Sequence, residues 1–307
     1  MKPTMKDNFN LLEARVIDAL EKTDLERIKY HLEKIKTPTI TTGVGGSSVV
    51  SNYTAKVLNK KNDIIAEHQE PRDMLYKNLN AYDNVIACSY GGKNYGVQTS
   101  FDNELNKYLL SANESENENV TNITYETTID KENSFISLGA TLIPMSILLA
   151  YYNNNDIEMI KEILNTKQEY DIDFSHIYEI LSGYDTSTAS TYLETTLTES
   201  GIAIPIVHDK YAYCHGRSTT SYNIHPSLIH LNNSTELDEL YSKELEPYYK
   251  KIIRLDSKYE DDIINDFYLT YQSMLLTKNI AEKSESDISR VNYSPVVKKL
   301  YHYKGKM

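Results

Sequence analysis

Gly43-Val44-Gly45-Gly46-Ser47-Ser48 follows the β-branched run Thr37 to Thr42 and leads into a helix-type segment, Val49 to Lys60. Ser89-Tyr90-Gly91-Gly92-Lys93-Asn94 repeats the arrangement: it follows the apolar run Asn84 to Cys88, and the spacing from Val97 to Leu110 predicts a helix after it. A turn of this kind cradles an anion. Glycines let the backbone approach closely, hydroxyls donate to anionic oxygens, and a helix N-terminus supplies N–H groups with partial positive charge. One such turn is a weak signal, and two in successive β-α units are a much stronger one.

Working outward, Phe9 to Ile35 places apolar residues at helical spacing and predicts two opening helices. Asp63 to Ala66 and Val120 to Tyr125 read as further strands, and Ile157 to Leu164 as a helix. Phe135 to Tyr152 is almost wholly apolar, but Ser137, Thr141, Pro144 and Ser146 interrupt it and no basic flank follows. It is therefore read as a buried core helix and not as a membrane span. Beyond a shift in composition at Lys167 to Thr188, helices (Ala189 to Glu199, Glu236 to Tyr249, Asp261 to Lys278) alternate with strands (Pro226 to Leu231, Lys251 to Leu255). No strand of this second half is expected to end in a glycine-serine turn. The alternation implies α/β architecture with mainly parallel sheets flanked by helices, in two halves.

The formal charge of −12 argues against general binding to nucleic acid or anionic membranes, both of which need clustered Lys and Arg. The 26 tyrosines, without a tryptophan, read as packing residues and not as a base-stacking platform. Cys88 and Cys214 are too few for a disulfide framework and fit a reducing compartment; with no secretory signal at the N-terminus, the expected location is cytoplasmic. Gly43-x-Gly45 begins like a dinucleotide fingerprint, but Ser48 stands where the third glycine belongs, and although Glu67 follows the second strand-like run, Pro71 soon interrupts, so no acidic residue ends that strand at the right place. There is no Gly-Lys-Ser/Thr, so a nucleotide-hydrolysing loop is excluded. His208, Asp209 and His215 lack a clean metal-ligand spacing. Neither a cofactor nor a metal is expected.

The two turns, with Leu197-Thr198-Glu199 and His215-Gly216 sixteen residues beyond the glutamate, resemble the double sugar isomerase (SIS) domain family, in particular the isomerase half of glucosamine-6-phosphate synthase. The resemblance covers nearly the whole chain. It implies N-terminal helices over 1–35, a first SIS domain over 36–170 that carries the turns, and a second over 185–307 with a C-terminal tail. It also implies a sugar phosphate held by Gly45, Gly46, Ser47, Ser48, Ser89, Gly91, Gly92 and Asn94. Glu199 would be the base moving a proton between C1 and C2, and His215, reaching a neighbouring subunit's site, would assist ring opening. That last assignment implies a homodimer. A lone helical glutamate is ordinarily solvated, so the weight on Glu199 comes from the resemblance.

Departures from the pattern are informative. Gly91 and Asn94 replace two hydroxyl donors of the second turn, Lys93 adds a charge, and Arg217 takes the place of a proline after His215-Gly216. Thr196 stands where the family has a lysine one turn before the base, and Lys298 or Lys299 would be the lysine of the tail. Without a cysteine at position 2 or room for an amidotransferase domain, glutamine-dependent synthesis is not expected. The chemistry implied is a phosphosugar isomerase, or a deglycase or deaminase of a sugar-phosphate amine adduct. The alternative is a non-catalytic phosphosugar-binding regulator.

Overall fold

A computed structural model describes residues 3–292 and 294–296 of the chain, so Lys298 and Lys299 lie outside the described residues. Three helices open it: α1 (Met5–Asn10), α2 (Leu12–Lys22) and α3 (Leu25–Glu33). Side chains start two of them, since the Thr4 hydroxyl accepts from Asp7 N in a capping box and Asp24 accepts from Arg27 N.

The first lobe follows, with β1 (Thr39–Thr42), α4 (Gly46–Asn62), β2 (Ala66–Gln69), β3 (Asn84–Cys88), α5 (Tyr95–Thr99), β4 (Asn106–Ser111), β5 (Val120–Thr124), α6 (Gly139–Tyr152) and α7 (Ile157–Asn165). All five strands are parallel, in the order β2-β1-β3-β4-β5. β1 and β3 are buried throughout, as expected of parallel strands covered on both faces. The second lobe contains β6 (Ile177–Ser182), α8 (Ser187–Ser200), β7 (Ile204–Asp209), a single helical turn α9 (Lys210–Ala212), α10 (Ser218–Ile224), β8 (Ser227–Asn232), α11 (Glu236–Glu244), β9 (Lys251–Asp256) and α12 (Asp262–Lys283). Its strands are parallel in the order β7-β6-β8-β9, so β6 is the topological counterpart of β1 and β8 that of β3. The fold is therefore α/β in two halves, each a parallel sheet flanked by helices. One apolar core runs through both, joining Tyr53 of α4, Leu142 of α6, Leu193 of α8 and Phe267 of α12.

Several elements differ from the expectation. The helix expected over Val97 to Leu110 is a five-residue helix, α5, followed by strand β4; pairing with both β3 and β5 overrides the helical spacing. The second strand starts at Ala66, where the expected one ends. Strands β6 and β7 lie in stretches read as connections. β6 does end in a serine-glycine turn, Ser182-Gly183, contrary to the expectation for the second half. That turn is filled by the protein itself: a Cβ on Gly183 would lie 2.3 Å from Asp185 Oδ1 and 2.8 Å from Lys210 Cε. Lys210 is buried between Asp185 (3.5 Å) and Asp238 (3.4 Å). The N-terminus of α8 is likewise occupied, since the Asp266 carboxylate accepts from Thr188 N at 3.4 Å and Ala189 N at 3.2 Å.

Candidate functional site

In the first sheet β1 and β3 are neighbours whose connections leave in opposite directions, β1 toward β2 and β3 toward β4. The crevice beyond the carboxyl ends of such a pair is where open parallel sheets bind ligands. Both glycine turns stand there. The first also approaches the helix that follows the second, because a Cβ on Gly96 in α5 would lie 3.2 Å from Val44 Cγ2.

The first turn is built by exclusion. A Cβ on Gly43 would lie 2.3 Å from the Ser47 carbonyl oxygen, and one on Gly46 would lie 2.4 Å from Ser137 Cβ and 2.7 Å from Thr141 Oγ1. Gly45 has φ +59° and ψ −130°, a conformation that side chains disfavour, and it caps α4 without a side-chain hydrogen bond. The first N–H groups of α4 thus lack a side-chain cap. Ser47 is half-buried and its hydroxyl has no partner among the described residues, whereas Ser48 is buried and its Oγ donates to the Gly45 carbonyl at 2.7 Å. Of the two serines, only Ser47 has an uncommitted hydroxyl.

In the second turn Ser89 Oγ accepts from Gly92 N at 3.2 Å, which closes the loop and leaves the hydroxyl proton available. Gly92 has φ +65°. Gly91 faces open space, since a Cβ added there would meet nothing within 4 Å, and Asn94 caps α5, its Oδ1 accepting from Gly96 N at 2.7 Å.

Glu199 comes from the other lobe. It lies in the last turn of α8, which Gly201 ends in a left-handed conformation (φ +68°). Its carboxylate faces the first turn: a Cβ on Gly45 would stand 2.9 Å from Glu199 Oε1. Glu199 has no hydrogen-bond or ion-pair partner among the described residues, and burial pushes its carboxyl above the ordinary value. Thr196, one turn earlier, is buried.

His215 is elsewhere. It follows β7, whose six residues span roughly 20 Å from the Glu199 end of the lobe to the carboxyl end of the sheet. It is exposed, in a kinked turn with Gly216 at φ +90°. Tyr213 anchors the turn from beneath; its OH donates to Ser221 Oγ at 2.8 Å and meets Tyr249 OH at 2.8 Å. Ser221 and Tyr249 both bond the fully buried Glu179 carboxylate at 2.5 Å, and His208 stands 3.6 Å from it. Burial pushes the Glu179 carboxyl up, but His208 and the two hydroxyls outweigh burial and hold it below the usual range. Cys214, next to His215 in the chain, is exposed. Within one chain, then, the turns and Glu199 come together, and His215 does not join them.

Residues not singled out from the sequence complete the surroundings. Thr141 Oγ1 donates to Ser137 Oγ (2.9 Å) beside Gly46, and Glu132 caps α6 by accepting from Leu138 N (3.1 Å) and Ala140 N (2.9 Å). The signal for Ser137 and Thr141 was a pair of hydroxyls four residues apart in an otherwise apolar run; Ser137 lies just before α6 and Thr141 in its first turn. The C-terminal segment passes close by, since Phe135 N donates to the Ser289 carbonyl at 3.0 Å. Among the described residues no group of three His, Cys, Asp or Glu could hold a metal ion, and no helix is long and apolar enough to cross a membrane.

No family model matches the chain, and no curated protein does. Solved structures do. The C-terminal domain of glucosamine-fructose-6-phosphate aminotransferase from Francisella tularensis superposes with a TM-score of 0.66 at 14% identity, covering 93% of this chain and 97% of that one. Glucosamine-6-phosphate deaminase from Thermotoga maritima gives 0.67 at 14% identity over 92% and 97%. Tagatose-6-phosphate ketose/aldose isomerase from Escherichia coli gives 0.67 at 12% over 95% and 96%. The resemblance to double-SIS proteins is thereby borne out at the level of the fold, over nearly the full length of both chains.

Proposed function

We propose that the chain is a phosphosugar isomerase, in which Glu199 carries a proton between C1 and C2 of a sugar phosphate anchored in the two glycine turns. The observation that carries this reading is the Glu199 carboxylate: half-buried, unpaired among the described residues, and set against Gly45 of the first turn. A half-buried carboxylate without a partner is costly to maintain, and a proton shuttle needs one.

The phosphate would be held by backbone N–H groups at Gly45 and Gly46 and by the hydroxyls of Ser47 and Ser89, with Gly91, Gly92 and Asn94 shaping the second turn. This remote anchor converts binding energy into orientation of the reacting carbons. In the aldose-to-ketose direction Glu199 takes the proton from C2. The C–H electron pair forms the C1=C2 double bond, and the C1 carbonyl oxygen gains a proton to give an enediol. The O2 hydroxyl then loses its proton, O2 becomes the carbonyl oxygen, and C1 receives the proton from Glu199. His215 would act in ring opening within the site of a second copy, which makes the active unit a homodimer. With Thr196 in place of an amine, simple aldose-ketose exchange is the reading preferred over amine transfer. The two unpaired cysteines accord with a cytoplasmic setting.

A second reading, a phosphosugar-binding regulator without turnover, draws support from the second turn, where Gly91 supplies no hydroxyl and the Asn94 carboxamide oxygen is spent on capping. One experiment separates the two. In deuterated water, the wild type is expected to exchange the C1 or C2 proton of fructose 6-phosphate or a related phosphosugar, and Glu199→Gln to abolish it. Tight binding without exchange establishes the regulator instead.

A further inference from the structure

A buried ion pair that the chemistry does not use fastens the cradle helix to the helix carrying Glu199. Helices α4 and α8 run antiparallel. At one end Gly45 meets Glu199; midway, Asn52 Nδ2 donates to Thr191 Oγ1 at 3.4 Å; at the other end Lys56 Nζ stands 2.5 Å from Asp266 Oδ2. Asp266 belongs to α12, and it also holds the first N–H groups of α8, at Thr188 and Ala189. Lys56 is 4% exposed and Asp266 fully buried, and the Tyr184 ring lies 5.1 Å from the Lys56 ammonium. Three helices therefore meet at one charged point, ten residues or roughly 15 Å along α8 from Glu199.

A buried ion pair is a poor net stabiliser compared with apolar residues of similar volume, because desolvation consumes most of the attraction; its distinctive effect is to specify one arrangement. α8 needs such a device. Its sequence, STASTYLETTLTES, is largely Ser and Thr and offers few large apolar side chains to lock its register against α4. We propose that Lys56 and Asp266 are positioning residues that fix the register of α8 on α4 and so hold the Glu199 carboxylate against Gly45. The inference rests on the reading of Glu199 as the base, and its own content is geometric.

The test uses the full chain in five variants. Lys56→Met and Asp266→Asn break the pair, Lys56→Arg conserves it, the double variant Lys56→Met/Asp266→Leu replaces it with apolar groups that keep the fold, and Glu199→Gln assigns the Glu199 carboxyl resonance in 13C-glutamate-labelled protein. In the two broken variants and in the double variant, the Glu199 titration midpoint is expected to fall toward the ordinary glutamate value as the carboxylate moves into water. With fructose 6-phosphate as probe, kcat for proton exchange falls about tenfold to a hundredfold while KM changes less than twofold, because the cradle is untouched. Lys56→Arg retains both values. An unchanged Glu199 midpoint in Asp266→Asn and in the double variant overturns the proposal. Persistent exchange in Glu199→Gln overturns the base assignment alone, and the NMR midpoint then still decides whether the pair positions Glu199.

Discussion

Gly45 and Gly91 carry opposite expectations for the same substitution. Alanine at 45 adds a Cβ at 2.9 Å from Glu199 Oε1 in a backbone conformation with φ +59°, so Gly45→Ala is expected to cost about 1–3 kcal/mol of stability and to suppress proton exchange. Alanine at 91 meets nothing within 4 Å, and Gly91→Ala should change stability by less than about 0.5 kcal/mol. Urea denaturation of the two variants makes the comparison. Glu199 gives a pH signature. Its folded pKa is raised by burial, so this residue's contribution favours folding below the ordinary carboxylate value and is lost as pH rises through the folded value. Glu199→Gln should therefore melt higher than wild type near pH 7, with the difference vanishing near pH 4, while the acid limb of the exchange rate lies above about 4.3, the ordinary glutamate value. The sequence singled out Glu199 only through its spacing to His215-Gly216. Its lack of a partner and its approach to Gly45 arise between residues 154 positions apart in the chain, and no local pattern carries them.

Among the elements, those fully buried or strongly periodic were legible: β1, β3, α4, α6 and α12 all stand where apolar runs or helical spacing predict them. β6 was missed because Glu179 sits in the middle of Ile177–Ser182 and reads as a polar interruption. One carboxylate oxygen, Oε2, instead accepts from Ser221 and Tyr249, which reach it from α10 and from the approach to β9. Tyr249→Phe removes one of these bonds together with the contact to Tyr213, and is expected to cost about 1–3 kcal/mol, measured by urea denaturation. β4 was misread for a different reason. Val97, Phe101 and Leu105 recur every four residues, but they line two small apolar clusters beneath the sheet and do not form a helical stripe. The crevice itself was inferable from two turns after two strands. The hydroxyls of Ser137 and Thr141 were visible in the sequence as well, yet only the packing of α6 against Gly46 brings them to the site.

For the whole molecule, the separation of His215 from Glu199 by the length of β7 makes a prediction about assembly. If each site takes Glu199 from one copy and His215 from another, then Glu199→Gln and His215→Ala are each inactive alone. After unfolding and refolding together in equal amounts, about a quarter of wild-type exchange should return, because half the dimers are mixed and each has one intact site. Absence of recovery, with dimers present by light scattering, removes His215 from the shared site. The two lobes repeat one topology, but the N-terminus of α4 lacks a side-chain cap, whereas that of α8 is filled. In the second, Asp266 occupies the helix N-terminus as a counter-ion tethered by the chain. A tethered group does not obey mass action: dilution cannot remove it and salt screens it little in the interior. The N-terminus of α8 accordingly stays filled whether ligand is scarce or plentiful, so the slowing of local amide hydrogen exchange caused by a bound phosphosugar should be largest around Gly43–Ser48 and Ser89–Asn94.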